Sequence, residues 1–320
     1  MNTISQDLRR ILTQRTLHSS ERVLEKLLFL AGVSSVLIIS LIFIFLFKEA
    51  VFFFKTAHPF DLIGKWVYDP WEEKQVFKMM WQAVSEVPKY SLIPLFCGSF
   101  LVAFPAILIS AVLGIGCAIY LAEIASPRTR EILKPTLELL GGIPSVVIGF
   151  MMLSLLATTV QHLFHTKFRL NAFVGSLGVS LAVLPLVITL AEDALRAVPR
   201  ELRDASYALG ASKWQTIWAT VIPAAVSGIS AAVILGFGRA LGETMIVVLA
   251  TGNAALVTGN IFSSVRTMTA TIAAELGAVD QGSEHYYALF LVGAILFTLT
   301  FLLNLISEIV LNRMRHQLRM

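Results

Sequence analysis

Charge is what this sequence has least of. Only 14% of its 320 residues are Asp, Glu, Lys or Arg, against about 25% in an ordinary soluble domain. With 56% hydrophobic residues and a mean hydropathy of +0.77, a chain bathed in water on every side is excluded, and contact with a lipid bilayer is expected. Cysteine is nearly absent. Cys97 and Cys117 lie in or beside apolar stretches with no CxxC pair and no zinc spacing, so both read as small buried hydrophobes. No GxxxxGK[ST] phosphate loop occurs, so the chain is no ATPase. No nucleophile elbow or HExxH motif occurs, so no catalytic residue is predicted. The net charge of +4 is small and its basic residues are dispersed, not gathered in a stripe interleaved with aromatics, which argues against nucleic-acid binding. His162 and His165 stand three apart without a third ligand in view, so no metal site is predicted.

What is present is a series of long apolar runs. Leu27 to Phe47 holds no charge in 21 residues. A bilayer core asks for about 20, and a secretory signal has only about 7–15, so this is a retained span. Phe100–Leu121, Leu137–Val160, Ala172–Leu190, Ala224–Ala250 and Ala288–Val310 bring the total to about six. The predicted fold class is all-α, a polytopic membrane protein in one main transmembrane domain. Fifteen of the 25 Lys and Arg fall on one face, nine on the other, and Arg239 lies inside a span. Six of the nine sit in the long first loop, which the positive-inside rule discounts, so both termini are predicted to be cytoplasmic. The expected parts are an N-terminal cytoplasmic segment 1–26, a first transmembrane helix in 27–54, an extracytoplasmic loop 55–97, a five-helix core 98–311 and a cytoplasmic tail 312–320.

Three soluble or irregular segments carry more detail. In the first outer loop, Asp69-Pro70-Trp71-Glu72-Glu73 reads as a helix start. Trp71, Phe77, Trp81 and Val84 follow near helical spacing, which predicts an amphipathic helix lying on the membrane or docking an extracytoplasmic partner. In the third span, Gly141-Gly142-Ile143-Pro144-Ser145 predicts a bend at Pro144 and Ser145, either lining a pathway or improving packing. In loop 197–223, Pro199 opens a helix, Gly210 caps it in a left-handed conformation, and Ser212-Lys213-Trp214-Gln215 has the capping-box pattern of a second helix. Pro223 opens the next span. The apolar set Ala205, Tyr207, Leu209 and Trp214 either packs on itself or meets a partner.

The spacing of that loop is informative. Asp204-Ala205-Ser206, three residues, Gly210, nine residues, then Thr220-Val221-Ile222-Pro223 resembles the signature loop of binding-protein-dependent ABC importer permeases. Their pattern is E-A-A, three residues, G, nine residues, I, any, L-P. The resemblance implies that Asp204, Ala205, Ser206, Gly210 and Pro223 belong to a coupling loop seated on a cytoplasmic ATPase. The departures, Asp204, Ser206, Thr220 and Ile222, are mild.

The fifth span contains Gly236-Phe237-Gly238-Arg239-Ala240-Leu241-Gly242-Glu243-Thr244-Met245. Arg239 and Glu243, four apart, would share a helix face. Charges at membrane depth cost at least about 2.5–3.5 kcal/mol each and face a bundle interior or a water-filled path. A structural ion pair and a substrate site are both open on this ground. Gly228, Ala232 and Gly236 form a small-residue lane suited to close helix packing, while Gly236 and Gly242 flanking Arg239 would also leave room for an anion. The run from Gly238 to Met245, followed by Thr251-Gly252-Asn253, closely resembles phosphate-specific permeases of the PstC kind, as does Glu138-Leu139-Leu140-Gly141-Gly142-Ile143-Pro144-Ser145. The resemblance covers roughly residues 100–310 and implies the type I ABC importer permease fold in a bacterial cytoplasmic (inner) membrane. It also implies as partners a second related permease, two ABC ATPase subunits that use ATP and Mg, and an extracytoplasmic phosphate-binding protein. No cofactor is expected in this chain. A guanidinium fork matches phosphate oxygens, and a carboxylate accepts the proton that phosphate keeps near neutral pH and sulfate lacks. Glu275 is either a solvated loop acid or an acid near the outer mouth of the path. Other oxyanions (sulfate, molybdate, phosphonate) and a proton-coupled carrier using Glu243 are the alternatives.

Overall fold

The computed structural model describes residues 19–69 and 73–317, and the chain divides into two compact units at the Glu49–Ala50 boundary. Helix α1 (Ser19–Thr56) contains the first apolar run. Its Ser34 and Ser40 return their hydroxyls to the carbonyls of Ala31 and Val36, which leaves no polar stripe, and lipid is the solvent such a helix suits. Six helical stretches among the described residues are long and apolar enough to cross a membrane: Val23–Thr56, Ile93–Ile124, Ser145–Phe164, Ala172–Arg196, Lys213–Gly242 and Glu284–Val310.

After α1 the chain does not form the expected amphipathic helix. A turn of 3₁₀ helix (Pro59–Leu62) leads into an antiparallel ribbon, β1 (Lys65–Asp69) with β2 (Lys74–Lys78), and a shorter pair, β3 (Trp81–Gln82) with β4 (Lys89–Tyr90). Pro70, Trp71 and Glu72 of the supposed helix start lie outside the described residues, as do residues 1–18 of the N-terminal segment and 318–320 of the tail. The strands win because Trp66, Val67 and Tyr68 pair across with Phe77, Val76 and Gln75, and aromatic and β-branched cross-strand pairs stabilise a ribbon.

The membrane part is built from α2 (Ile93–Ile119), α3 (Pro127–Gly141), α4 (Ser145–Met151), α5 (Ala157–Phe164) and α6 (Ala172–Arg196), then α7 (Arg200–Ala208), α8 (Lys213–Thr216), α9 (Ile222–Gly242), α10 (Met245–Ala250), α11 (Met268–Glu275) and α12 (Glu284–Gln317). Three π turns interrupt these helices, at Tyr120–Ile124, Met152–Leu156 and Ile217–Val221. Pro223 stands in the first turn of α9, as expected, but the helical path already begins at Lys213 and reaches Gly242 through the third π turn. Proline has no N–H and clashes with the preceding turn, and the wider π turn relieves both faults. The expected third span starts later than Leu137. Leu137–Gly141 closes the polar helix α3, and Pro144 is the N-cap of α4, with φ −58° and ψ 133°. The sequence bend is therefore a break between two helices.

Helices α2, α6 and α9 form the core through small residues. A Cβ at Gly114 would come within 2.9 Å of Val187, and one at Gly236 within 2.9 Å of Ile107 and Val187. Gly228 backs onto Ala194. The Gly228–Ala232–Gly236 lane is thus a helix-packing seam. Around it Val102, Ala106, Val183, Ile246 and Ala270 are buried.

Candidate functional site

The two charged residues of the fifth span do not share a helix face. Helix α9 ends at Gly242, and Glu243 is extended, with φ −66° and ψ 134°. The break is held by one tertiary bond that no local pattern encodes and by one local bond. Thr269 Oγ1 donates to the Glu243 carbonyl at 2.7 Å, and the Glu243 carboxylate accepts the Thr244 N–H at 3.2 Å. Helix α10 then restarts after Thr244. Arg239, in the last turn of α9, is exposed and has no ion-pair or hydrogen-bond partner among the described residues. Gly242 opens onto empty space, whereas Gly236 is filled by α2 and α6, so only Gly242 leaves room beside the arginine.

The loop after α6 forms the two helices expected. Gly210 has φ +85°. The N–H of Ala211 reaches the Ser206 carbonyl and that of Gly210 the Tyr207 carbonyl, which is a Schellman ending to α7. Ser212 and Gln215 complete a reciprocal capping box at α8. Ser206 Oγ and Thr216 Oγ1 meet at 2.9 Å, tying the two helices together. The apolar set does not pack on itself: Asp204, Ala205, Tyr207, Leu209 and Trp214 are all exposed, Leu209 by 90%. The loop thus presents an open apolar tip between two capped helices.

Sequence reasoning missed the cage behind this loop. Glu192, only 1% exposed, sits in α6 and accepts from Arg130 at 2.9 Å. Lys134 stands at 3.3 Å and Arg196 at 3.6 Å from it. Arg203 of α7 donates to Glu123 at 2.7 Å and to the Leu195 carbonyl at 2.9 Å. The available signal was Arg130 and Lys134 at i,i+4, one face of α3, with Glu192 at the end of an apolar run.

Glu275 is not a free loop acid. It accepts from the Trp81 indole at 2.9 Å, stands 2.8 Å from His285 Nε2 and is paired with Arg266. Trp81 itself is buried, its ring against Tyr90, so it is no interfacial anchor. Burial, then the nearby Glu284 and Glu275 charges, push the Tyr90 hydroxyl up to about 12. This cluster fastens the strands of the 55–97 region to α11 and α12.

Comparison with known proteins fits these features. Residues 110–316 match the family described as binding-protein-dependent transport system inner membrane component. A probable ABC transporter permease protein, YqgH, of Bacillus subtilis is 35% identical over 233 residues, covering 73% of this chain and 75% of that protein. The phosphate transport system permease protein PstC of Mesorhizobium japonicum is 32% identical over 252 residues, covering 73% and 76%. Among solved structures, an inward-facing MetNI methionine ABC transporter superposes with a TM-score of 0.53 over 68% of this chain and 93% of that one, at 14% identity, a likeness of fold alone.

Proposed function

The chain belongs to the family of binding-protein-dependent transport system inner membrane components, and from that premise we propose that it is a permease subunit through which inorganic phosphate enters the cell. Family membership makes it a multi-pass inner-membrane transport subunit of an ABC importer and not an enzyme, working with ATPase subunits and a second permease. The proposal adds the cargo, an extracytoplasmic phosphate-binding protein, both termini in the cytoplasm, and ATP with Mg bound by the two ATPase partners.

The observation that carries the cargo is Arg239. A guanidinium without a partner among the described residues, exposed on an otherwise apolar span, is too costly to face lipid. It belongs on a water-filled path between this subunit and its neighbour, where its fork suits a tetrahedral oxyanion. Glu243, at the adjoining helix break, supplies an acceptor that favours a protonated oxyanion over sulfate. The exposed tip at Leu209 and Trp214 supports seating on an ATPase, with Gly210 setting its turn and Asp204, Ala205 and Ser206 its docking helix. Relatedness to a phosphate transport permease supports the same cargo.

The test is uptake by the importer reconstituted in vesicles with its partner subunits. ATP-dependent uptake of labelled phosphate, competed by phosphate and not by sulfate, molybdate or phosphonate, is expected. Uptake competed best by another oxyanion overturns the cargo, and uptake that survives removal of the ATPase subunits overturns the coupling.

A further inference from the structure

Behind the coupling loop lies a cavity of about 340 Å³ whose lining includes Arg130, Arg196, Arg200 and Arg203, with Glu123 as the acid among them. The arginines come from three elements: Arg130 from α3, Arg196 from the end of α6, and Arg200 and Arg203 from α7. Two are engaged, Arg130 with the buried Glu192 and Arg203 with Glu123. The other two are not satisfied. Arg196 is 45% exposed and makes one loose contact, 3.6 Å to Glu192, and Arg200 has no partner among the described residues.

Counting Glu192 beneath the floor, the carboxylates offset only half of the four guanidinium charges. Like charges gathered in a concavity raise its positive potential and concentrate anions there. One unpaired guanidinium fork, Arg200, and one loosely held fork, Arg196, from different helices match oxygens pointing in more than one direction, the geometry of a phosphate group. We propose that this pocket binds a phosphate-class oxyanion, distinct from the transported one at Arg239, that ties α3, α6 and α7 together at the root of the coupling loop. The ligand is free phosphate or the phosphate headgroup of an anionic lipid. The inference goes beyond the transport reading and does not depend on the cargo.

The full chain in neutral detergent serves for the test. Phenylglyoxal, which modifies accessible arginines, is applied with and without inorganic phosphate, and separately with and without phosphatidic acid, and the modified residues are mapped by mass spectrometry. Slower modification of Arg196 and Arg200 is expected in at least one arm. Protection by inorganic phosphate assigns the free ion, and protection by phosphatidic acid alone assigns a lipid headgroup. Arg196→Gln or Arg200→Gln alone should weaken binding of the protecting species roughly tenfold to hundredfold, the value of one charge-assisted hydrogen bond of about 1.5–3 kcal/mol, and the double variant should weaken it further. Variant Arg239→Gln should leave the protection at Arg196 and Arg200 unchanged. Unprotected arginines in both arms overturn the proposal, and so does undiminished binding by a folded double variant. Because neither arm measures transport, failure here leaves the cargo assignment standing.

Discussion

At the scale of the residue, Arg239 and Glu192 are opposites. Arg239 is a charge with no partner among the described residues, and Glu192 is a buried charge inside a basic cage. Replacing Arg239 by Gln should lower phosphate uptake roughly tenfold to hundredfold, as expected for one charge-assisted contact of about 1.5–3 kcal/mol, while leaving the thermal unfolding midpoint in detergent nearly unmoved. A falling midpoint would mean that the arginine holds the fold. Glu192→Gln should do the reverse first. It takes the charge-assisted bonds of the part-exposed Arg130 and Lys134 away from α6, each worth about 1.5–3 kcal/mol, so unfolding in detergent should occur at a clearly lower temperature. The two charges of the fifth span were legible in the sequence, but their relation was not: four residues apart implies one helix face only if the helix continues. It stops because Thr269, 26 positions away, donates to the Glu243 carbonyl.

Elements differ in how much of them local pattern decides. The two helices of loop 197–223 were readable because caps are local, and Gly210 at φ +85° is where that reading is most exposed to test. A β-branched residue at positive φ is strongly disfavoured, whereas Asn tolerates it. A Cβ there meets nothing within 4 Å, so only the backbone objects. Gly210→Val should uncouple ATP hydrolysis from uptake in the reconstituted importer, and Gly210→Asn should retain most of both. Equal behaviour of the two variants would remove Gly210 from the coupling geometry. The 55–97 region was misread for the opposite reason. Trp71, Phe77, Trp81 and Val84 mimic helical spacing, but Trp81 is spent on Glu275 and Tyr90, and the strand period of 2 in Lys65–Asp69 is the one that pairs. Tyr90 makes this region sensitive to alkali. Its hydroxyl titrates near 10 when unfolded and at about 12 when folded, so the folded state holds its proton more tightly. Stability is therefore full below pH 10 and declines as the pH rises from there toward about 12. Tyr90→Phe should abolish that decline in unfolding curves measured across the interval.

For the molecule as a whole, hydropathy foretold six spans because the bilayer imposes length and apolarity residue by residue, and six helices among the described residues meet that criterion. Three spans separate the 55–97 region from the loop around Gly210, so the two must emerge on opposite sides. Ser212→Cys should react with an impermeant maleimide only from the cytoplasm, and Val84→Cys, at a position 84% exposed, only from outside. Exchange of those two patterns would invert the topology and detach the exposed tip from any ATPase. Between that tip and α9 stands the π turn at Ile217–Val221. A π turn carries one residue more than the α-helical path requires, and one residue of an α-helix is about 100° of rotation. If this surplus residue migrates along the helix, everything on the tip side turns about the axis while no backbone hydrogen bond is lost for long. The joint next to Pro223 therefore sets the angular register between the exposed tip and α9, which carries Arg239 in its last turn.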